Sequence, residues 1–197
     1  MRLILASSSP YRQEMLKRFG LPFSAVPPHV DETPLIGESP TDLALRLARA
    51  KALAVARQYP GTVVIGSDQV ATFDGKAIGK PGNHEAAIAQ LRMLSGQSVD
   101  FHSALCITDG TRQEIDDVVT SCRFRNLSMA EIEHYLNIEK PYDTAGSAKA
   151  EGLGIALMDA MQCDDPTAII GLPLIALARM LRSFGINPLS SSHGVSA

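Results

Sequence analysis

The chain has 197 residues, 45% of them hydrophobic, and a net charge of -3. That length can bury a core without disulfide or metal staples, and the slightly acidic balance excludes a bulk positive field that would hold nucleic acid non-specifically. Tryptophan is absent and aromatic residues make up 5%, which excludes an aromatic-rich platform for stacking single strands.

In chain order, the apolar residues Leu3–Ala6 predict a short buried strand. Ser9 and Pro10 then start a helix that runs to Gly20, since serine caps well and proline suits the first helical position. Residues 24–26 form a second strand, broken by Pro27 and Pro28, and residues 30–34 a loop. The segment 39–59 is the clearest helix: Ser39 caps it, Pro40 opens it and Asp42 suits its positive end. Residues 62–66 are a β-branched buried strand leading into the polar trio Ser67, Asp68 and Gln69. Residues 70–73 and 76–78 form a hairpin about Asp74 and Gly75. Asn83 caps a helix that stops at Gly96. Residues 98–108 and 114–125 alternate like half-buried strands around Asp109 and Gly110. Ser128 and Glu131 make a capping box for a helix to about Asn137, and residues 173–184 form a last amphipathic helix.

Strands and helices mixed in this order predict one α/β domain around one sheet, spanning residues 1–189, with 190–197 as a disordered tail. The cysteines, Cys106, Cys122 and Cys163, are odd in number and lack C-x-x-C spacing. They read as core or near-core thiols in a reducing compartment. The apolar stretch at the start is too short for a signal peptide, and the apolar run 168–177 too short for a membrane span. A soluble, cytoplasmic protein is expected.

Three places hold residues that could carry chemistry. Ser7, Ser8 and Ser9 lie between a strand and a helix N-terminus, a natural anion site to which Arg12 adds a fork of donors. An ordinary serine-capped helix gives the same sequence. Asp68 follows a buried strand, at the carboxyl end of a sheet where α/β proteins place ligands; a solvated turn aspartate is the alternative. Asp31 and Glu32 are paired carboxylates of the kind that hold Mg²⁺ or Mn²⁺ together with substrate phosphates. Lys51 and Lys80 suit phosphate as point charges, although a lysine on a helix face also snorkels to water. The histidines lack zinc-site spacing and no G-x-S-x-G elbow exists, so zinc and serine hydrolase chemistry are disfavoured.

Seven segments, in order, go further: Leu5-Ala6-Ser7-Ser8-Ser9-Pro10-Tyr11-Arg12, Val30-Asp31-Glu32, Ala48-Arg49-Ala50-Lys51-Ala52, Gly66-Ser67-Asp68-Gln69, Gly79-Lys80-Pro81, Tyr142-Asp143-Thr144-Ala145-Gly146-Ser147 and Gly171-Leu172-Pro173-Leu174. With them the chain resembles the Maf family of nucleotide pyrophosphatases along nearly its whole length. The resemblance implies an ITPase-like α/β fold, a mixed twisted sheet flanked by helices, with the site in a cleft between two lobes. It also implies metal-dependent cleavage of a nucleoside triphosphate between the α- and β-phosphates. By position, Asp68 activates water or binds the Mg²⁺ or Mn²⁺ cofactor, and Glu32 binds the metal or assists. Arg12, Lys51 and Lys80 hold the triphosphate, with Ser7, Ser8 and Ser9 beneath it. No nucleic-acid or membrane partner is expected, and a homodimer is among the expectations. A nucleotide-binding regulator tied to cell division is the reading from another class.

Three residues bear on the base. Tyr11, Gln69 and Glu151 differ from the family members that act on dTTP and UTP, which have arginine, threonine and glutamine there. They resemble the subgroup acting on 7-methyl-GTP, which can carry tryptophan at the position of Tyr11. An aromatic face attracts the cationic 7-methylguanine ring, and a carboxylate at 151 can accept from its N1–H and amino group. A pyrimidine triphosphate is the alternative substrate within the same chemistry.

Overall fold

A computed structural model describes residues 2–190. Its centre is a mixed sheet in the order β2 (Phe23–Ala25), β1 (Leu3–Ala6), β3 (Val63–Phe73), β5 (Ser98–Thr108), β6 (Gln113–Phe124) and β7 (Met158–Gln162), with β4 (Lys76–Ile78) on β3. The β1 strand is buried at all four positions. It pairs in parallel with β2 and with β3, and every other pairing is antiparallel. The hairpin arm β4 folds back on β3, and the long strands β5 and β6 continue the sheet.

The sequence pattern divides residues 62–73 into a strand, a polar junction and a hairpin arm. The structure instead has one unbroken strand, β3, in which Ser67, Asp68 and Gln69 pair with Leu105, Ala104 and Ser103 of β5. The polar side chains find partners, so the ladder has no reason to break. Asp68 therefore lies inside a strand and not after one. It nevertheless stands at an opening. β1 ends at Ala6, opposite Gly66, and β4 begins to pair only at Ala71. Between them, residues 67–70 have a strand neighbour on the β5 side alone.

The helices begin where their caps put them. Ser9, Ser39 and Asn83 each accept a backbone N–H at the start of α1 (Pro10–Lys17), α2 (Pro40–Ala56) and α3 (His84–Leu94). Ser128 and Glu131 form the full capping box of α4 (Met129–Glu139). Helix α1 is shorter than its pattern, since residues 18–20 form a turn and Gly20 takes a positive φ. The last helix, α5 (Leu174–Ser183), lacks a side-chain cap of its own from Pro173.

Alternation along β1 and β3 sends Leu3, Leu5, Val63 and Ile65 to one face, against α1 and α5. Ile4, Ala6 and Val64 go to the other face, toward Val55 of α2. Gly66 makes that second packing close: a Cβ there would lie 2.2 Å from the Ala48 carbonyl oxygen and 2.6 Å from the Ala52 nitrogen. A second lobe forms at the far ends of β3, β5 and β6, where Ala71, Phe101 and Phe124 pack on Leu91 of α3 and Tyr135 of α4.

Edge strand β7 (Met158–Gln162) and three short 3-10 turns (Ala145–Ser147, Leu153–Leu157, Ala168–Ile170) carry no pattern that marks them in the sequence. β7 contains no β-branched residue and is at most half-buried. Cys106 and Cys122 are buried free thiols and Cys163 is half-buried; burial raises Cys122 to about 12, with help from Cys163 and Asp100. Among the described residues no helix is long and apolar enough to cross a membrane. The expected tail, apart from Ser190, lies outside the described residues.

Candidate active site

The gap in the sheet opens into a cleft of about 940 Å³ between the two lobes. Ten of the eleven expected site residues line it: Ser7, Ser8, Ser9, Tyr11, Arg12, Glu32, Lys51, Asp68, Gln69 and Lys80. Glu151 does not. Asp143 and Ala145 of the Tyr142–Ser147 segment also line it.

The centre of the site is a lysine between two carboxylates. Lys51 Nζ lies 2.6 Å from Asp68 Oδ1 and 2.6 Å from Glu32 Oε1. Lys51 and Asp68 are 6% and 7% exposed, so neither is the snorkelling lysine or the solvated turn acid that each could have been. The close contact at Gly66 produces this pairing, because it lays the turn of α2 carrying Lys51 onto the part of β3 carrying Asp68. Glu32 is more exposed and comes from a loop. Desolvation works to raise its pKa, but the hydrogen bond from Lys51 and the charges of Lys51, Lys80 and Arg12 prevail, and the net direction is down. Asp31 points elsewhere, accepting from the Thr33 N–H at 2.9 Å. The paired carboxylates of the site are thus Glu32 and Asp68, which converge from two elements.

Arg46 anchors the Glu32 loop to α2. Its Nε donates to Glu38 Oε1 at 2.5 Å and its Nη2 to the Thr33 carbonyl at 3.0 Å. That guanidinium holds the Glu38 carboxyl down to about 2. Opposite, the serine loop turns tightly: Ser9 N–H donates to Ser7 Oγ at 3.1 Å, and Arg12 N–H to Ser9 Oγ at 3.4 Å. Arg12 Nε donates to the Gly171 carbonyl at 2.9 Å. Burial lowers the Arg12 pKa against the opposing pull of Asp68 and Glu32, and the group stays cationic at neutral pH. Lys80, on the exposed turn after β4, adds a further positive charge felt by Glu32.

The segment 165–171 has a part the sequence does not announce. Gln69 Nε2 lies 3.0 Å from the carbonyls of Ala168 and Ile169 and from Ser103 Oγ. Ser67 Oγ donates to the Gly171 carbonyl at 3.0 Å, and Ser103 Oγ to that of Ala168 at 2.7 Å. Gln69 thus spends its amide N–H groups on the protein's own backbone. Tyr11 carries Lys149 near its ring, with Nζ 5.5 Å from the centroid. Hydrogen bonding to Tyr11 leads in raising the Lys149 pKa, and the charges of Glu139 and Glu151 add to it. Glu151 is exposed, on the turn before Gly152, and its charge is felt by Lys149 beside Tyr11.

Comparison with known proteins bears on the family and the fold. The family described as Maf-like protein matches residues 2–184. A 7-methyl-GTP pyrophosphatase of Bordetella pertussis is 66% identical over 189 residues, covering 96% of this chain and 95% of that protein. A 7-methyl-GTP pyrophosphatase of Burkholderia thailandensis is 62% identical over 189 residues, covering 93% and 88%. Among solved structures, a HAM1 protein from Coxiella burnetii is similar with a TM-score of 0.51 at 16% identity, over 93% of this chain and 99% of that one. That likeness concerns the fold alone, and it agrees with the ITPase-like architecture that the sequence motifs imply. By its sequence over nearly its whole length, the chain belongs to the Maf-like protein family.

Proposed function

We propose that the protein hydrolyses a nucleoside triphosphate between the α- and β-phosphates, with 7-methyl-GTP and water giving 7-methyl-GMP and diphosphate. One observation carries the reading: Lys51 bridges Glu32 and Asp68 at 2.6 Å each on the floor of a cleft rimmed by Arg12, Lys80 and the serine loop. The relatives named as 7-methyl-GTP pyrophosphatases support the choice of base.

The residues present fit a divalent metal. Two carboxylates converge on one point, and both offer hard oxygen ligands. Among the described residues no group of three or more histidines, cysteines and acids could cage an ion, so the remaining ligands would be phosphate oxygens and water, as Mg²⁺ and Mn²⁺ accept. Glu32 and Asp68 would hold it, and such an ion supplies charge stabilisation at the phosphates and a template for them.

The chain's own residues do the rest. Arg12, Lys51 and Lys80 bind the triphosphate and stabilise the charge that grows on the leaving diphosphate. Asp68, fixed in a strand, orients the attacking water and takes up its proton. The serine loop presents N–H and O–H groups to the phosphates. Tyr11 offers a ring to the base.

Purified protein incubated with 7-methyl-GTP, GTP, dTTP and UTP tests the reading. Monophosphate and diphosphate should form fastest from 7-methyl-GTP, with activity lost on chelation and restored by Mg²⁺ or Mn²⁺. A nucleoside diphosphate and orthophosphate as main products would refute the bond assignment, and dTTP or UTP as best substrate would refute the base.

A further inference from the structure

Asp165 is 2% exposed and belongs to none of the motifs above. Its carboxylate is nevertheless the most heavily bonded acid near the site. Oδ1 accepts from the Thr167 N–H at 3.1 Å and from Thr167 Oγ1 at 2.7 Å. Oδ2 accepts from the N–H groups of Ile175 at 2.6 Å and Ala176 at 3.2 Å. Asp165 thus supplies, from across a loop, the cap that Pro173 cannot give to α5. Thr167 Oγ1 closes the same loop a second time, accepting from the Leu174 N–H at 2.7 Å. Both ends of the segment 165–174 are therefore tied to one buried charge.

What that segment exposes is a row of carbonyls. Those of Ala168 and Ile169 receive Gln69, that of Ala168 also receives Ser103, and that of Gly171 receives both Ser67 and Arg12 Nε. Gly171 takes φ of 105°, a conformation that suits glycine. Arg12 uses only Nε in this contact, and its two terminal nitrogens have no partner among the described residues. A guanidinium is a planar fork, so fixing Nε fixes the direction of the other two donors.

We infer that Asp165 is a positioning residue for triphosphate binding: it rigidifies the 165–174 loop so that the Gly171 carbonyl aims the Arg12 fork into the cleft. This rests on the proposed reading that Arg12 binds phosphate. The carboxylate touches no substrate and acts through Thr167, Gly171 and Arg12 in turn.

A double-mutant cycle tests it, read as calorimetric Kd for inorganic triphosphate, which needs neither turnover nor a base. Asp165→Asn should weaken binding by about tenfold in the native background and by less than about twofold in an Arg12→Ala background. Should Asp165→Asn not fold, Thr167→Ala removes the Oγ1 ties to Asp165 and to the Leu174 N–H, leaves the Asp165 cap on α5 in place, and carries the same expectation. Equal weakening in both backgrounds, or unchanged Kd with only a lower melting temperature, would overturn the inference and leave a plain helix cap. Failure of the native protein to bind inorganic triphosphate at all would overturn the phosphate reading itself, and the inference with it. A base other than 7-methylguanine emerging from the substrate panel would leave the cycle's result standing.

Discussion

Lys51 Nζ and Asp68 Oδ1 lie 2.6 Å apart with both residues nearly sealed from water. The same ammonium lies 2.6 Å from Glu32 Oε1, so one lysine joins both carboxylates of the cleft. On the proposed reading, a divalent ion held by Glu32 and Asp68 would compete with Lys51 for these carboxylates.

Lys51→Met should separate these roles. Turnover should fall at least about 10²-fold, as when one charge-stabilising group is removed from a reacting centre. Mn²⁺ should bind the nucleotide-free variant at least about tenfold more tightly than the native protein, since a neighbouring positive charge is gone. Electron paramagnetic titration of Mn²⁺ reads this directly, and weaker binding in the variant would show that these carboxylates do not hold the ion.

Gly66→Ala should be severe for its size. The added methyl meets backbone atoms of α2 at 2.2 and 2.6 Å, and main chain cannot swing aside as a side chain can. A loss of about 3 kcal/mol is expected, or a melting temperature lower by roughly 6–12 °C. Calorimetry checks it. A fully stable variant would mean that α2 can retreat, in which case activity should drop as Lys51 parts from Asp68.

Tyr11→Ala should lower kcat/KM for 7-methyl-GTP more than for GTP, by roughly threefold to thirtyfold, the range of a ring–cation contact. Equal losses on both substrates would mean that the ring packs against the base without sensing its charge. Glu151 enters this question at one remove. It sits outside the cleft and acts on Lys149, so Glu151→Gln should perturb selectivity less than Tyr11→Ala does.

His102 gives a pH signature. Its Nδ1 lies 2.6 Å from Asp117 Oδ2, and this hydrogen bond raises the imidazole above its ordinary 6.5 against the opposing effect of burial. A raised value means that the protonated pair stabilises the fold fully below pH 6.5 and ceases to do so as pH rises through the folded value. The melting-temperature gap between native protein and His102→Gln should be widest near pH 5.5 and narrowest near pH 9. A gap that widens in alkali would contradict the assignment.

The sequence reached the site better than it reached the scaffold beneath it. Caps at Ser9, Ser39, Asn83 and Ser128 mark helix starts because a short polar side chain there satisfies a local N–H. The expected phosphate- and metal-binding residues converge on one cleft, whereas Glu151 lies outside it and Asp31 turns to Thr33. What stayed hidden depends on distant partners. The unbroken course of β3 through Ser67, Asp68 and Gln69 is decided by β5, more than thirty residues on. The Asp165 ties to Thr167 and α5 look, in sequence, like an acid in a loop. Lys51 is legible as a ligand only through resemblance, because the glycine contact that buries it belongs to another element.

The interval between Ala6 and Ile78 on the flank of β3 has a consequence of its own. A sheet edge without a neighbour invites foreign strands to add to it and so to aggregate. Here the open stretch is only residues 67–70, closed at one end by β1 and at the other by β4. It is too short and too deep for another chain to enter, yet wide enough for a small polar molecule. The main chain at the floor of the cleft is thereby kept for the ligand. Groups of that kind survive every side-chain substitution, and replacing the amide N–H of residue 69, which like that of Val63 faces away from β5, with an ester oxygen is the change that would reach them.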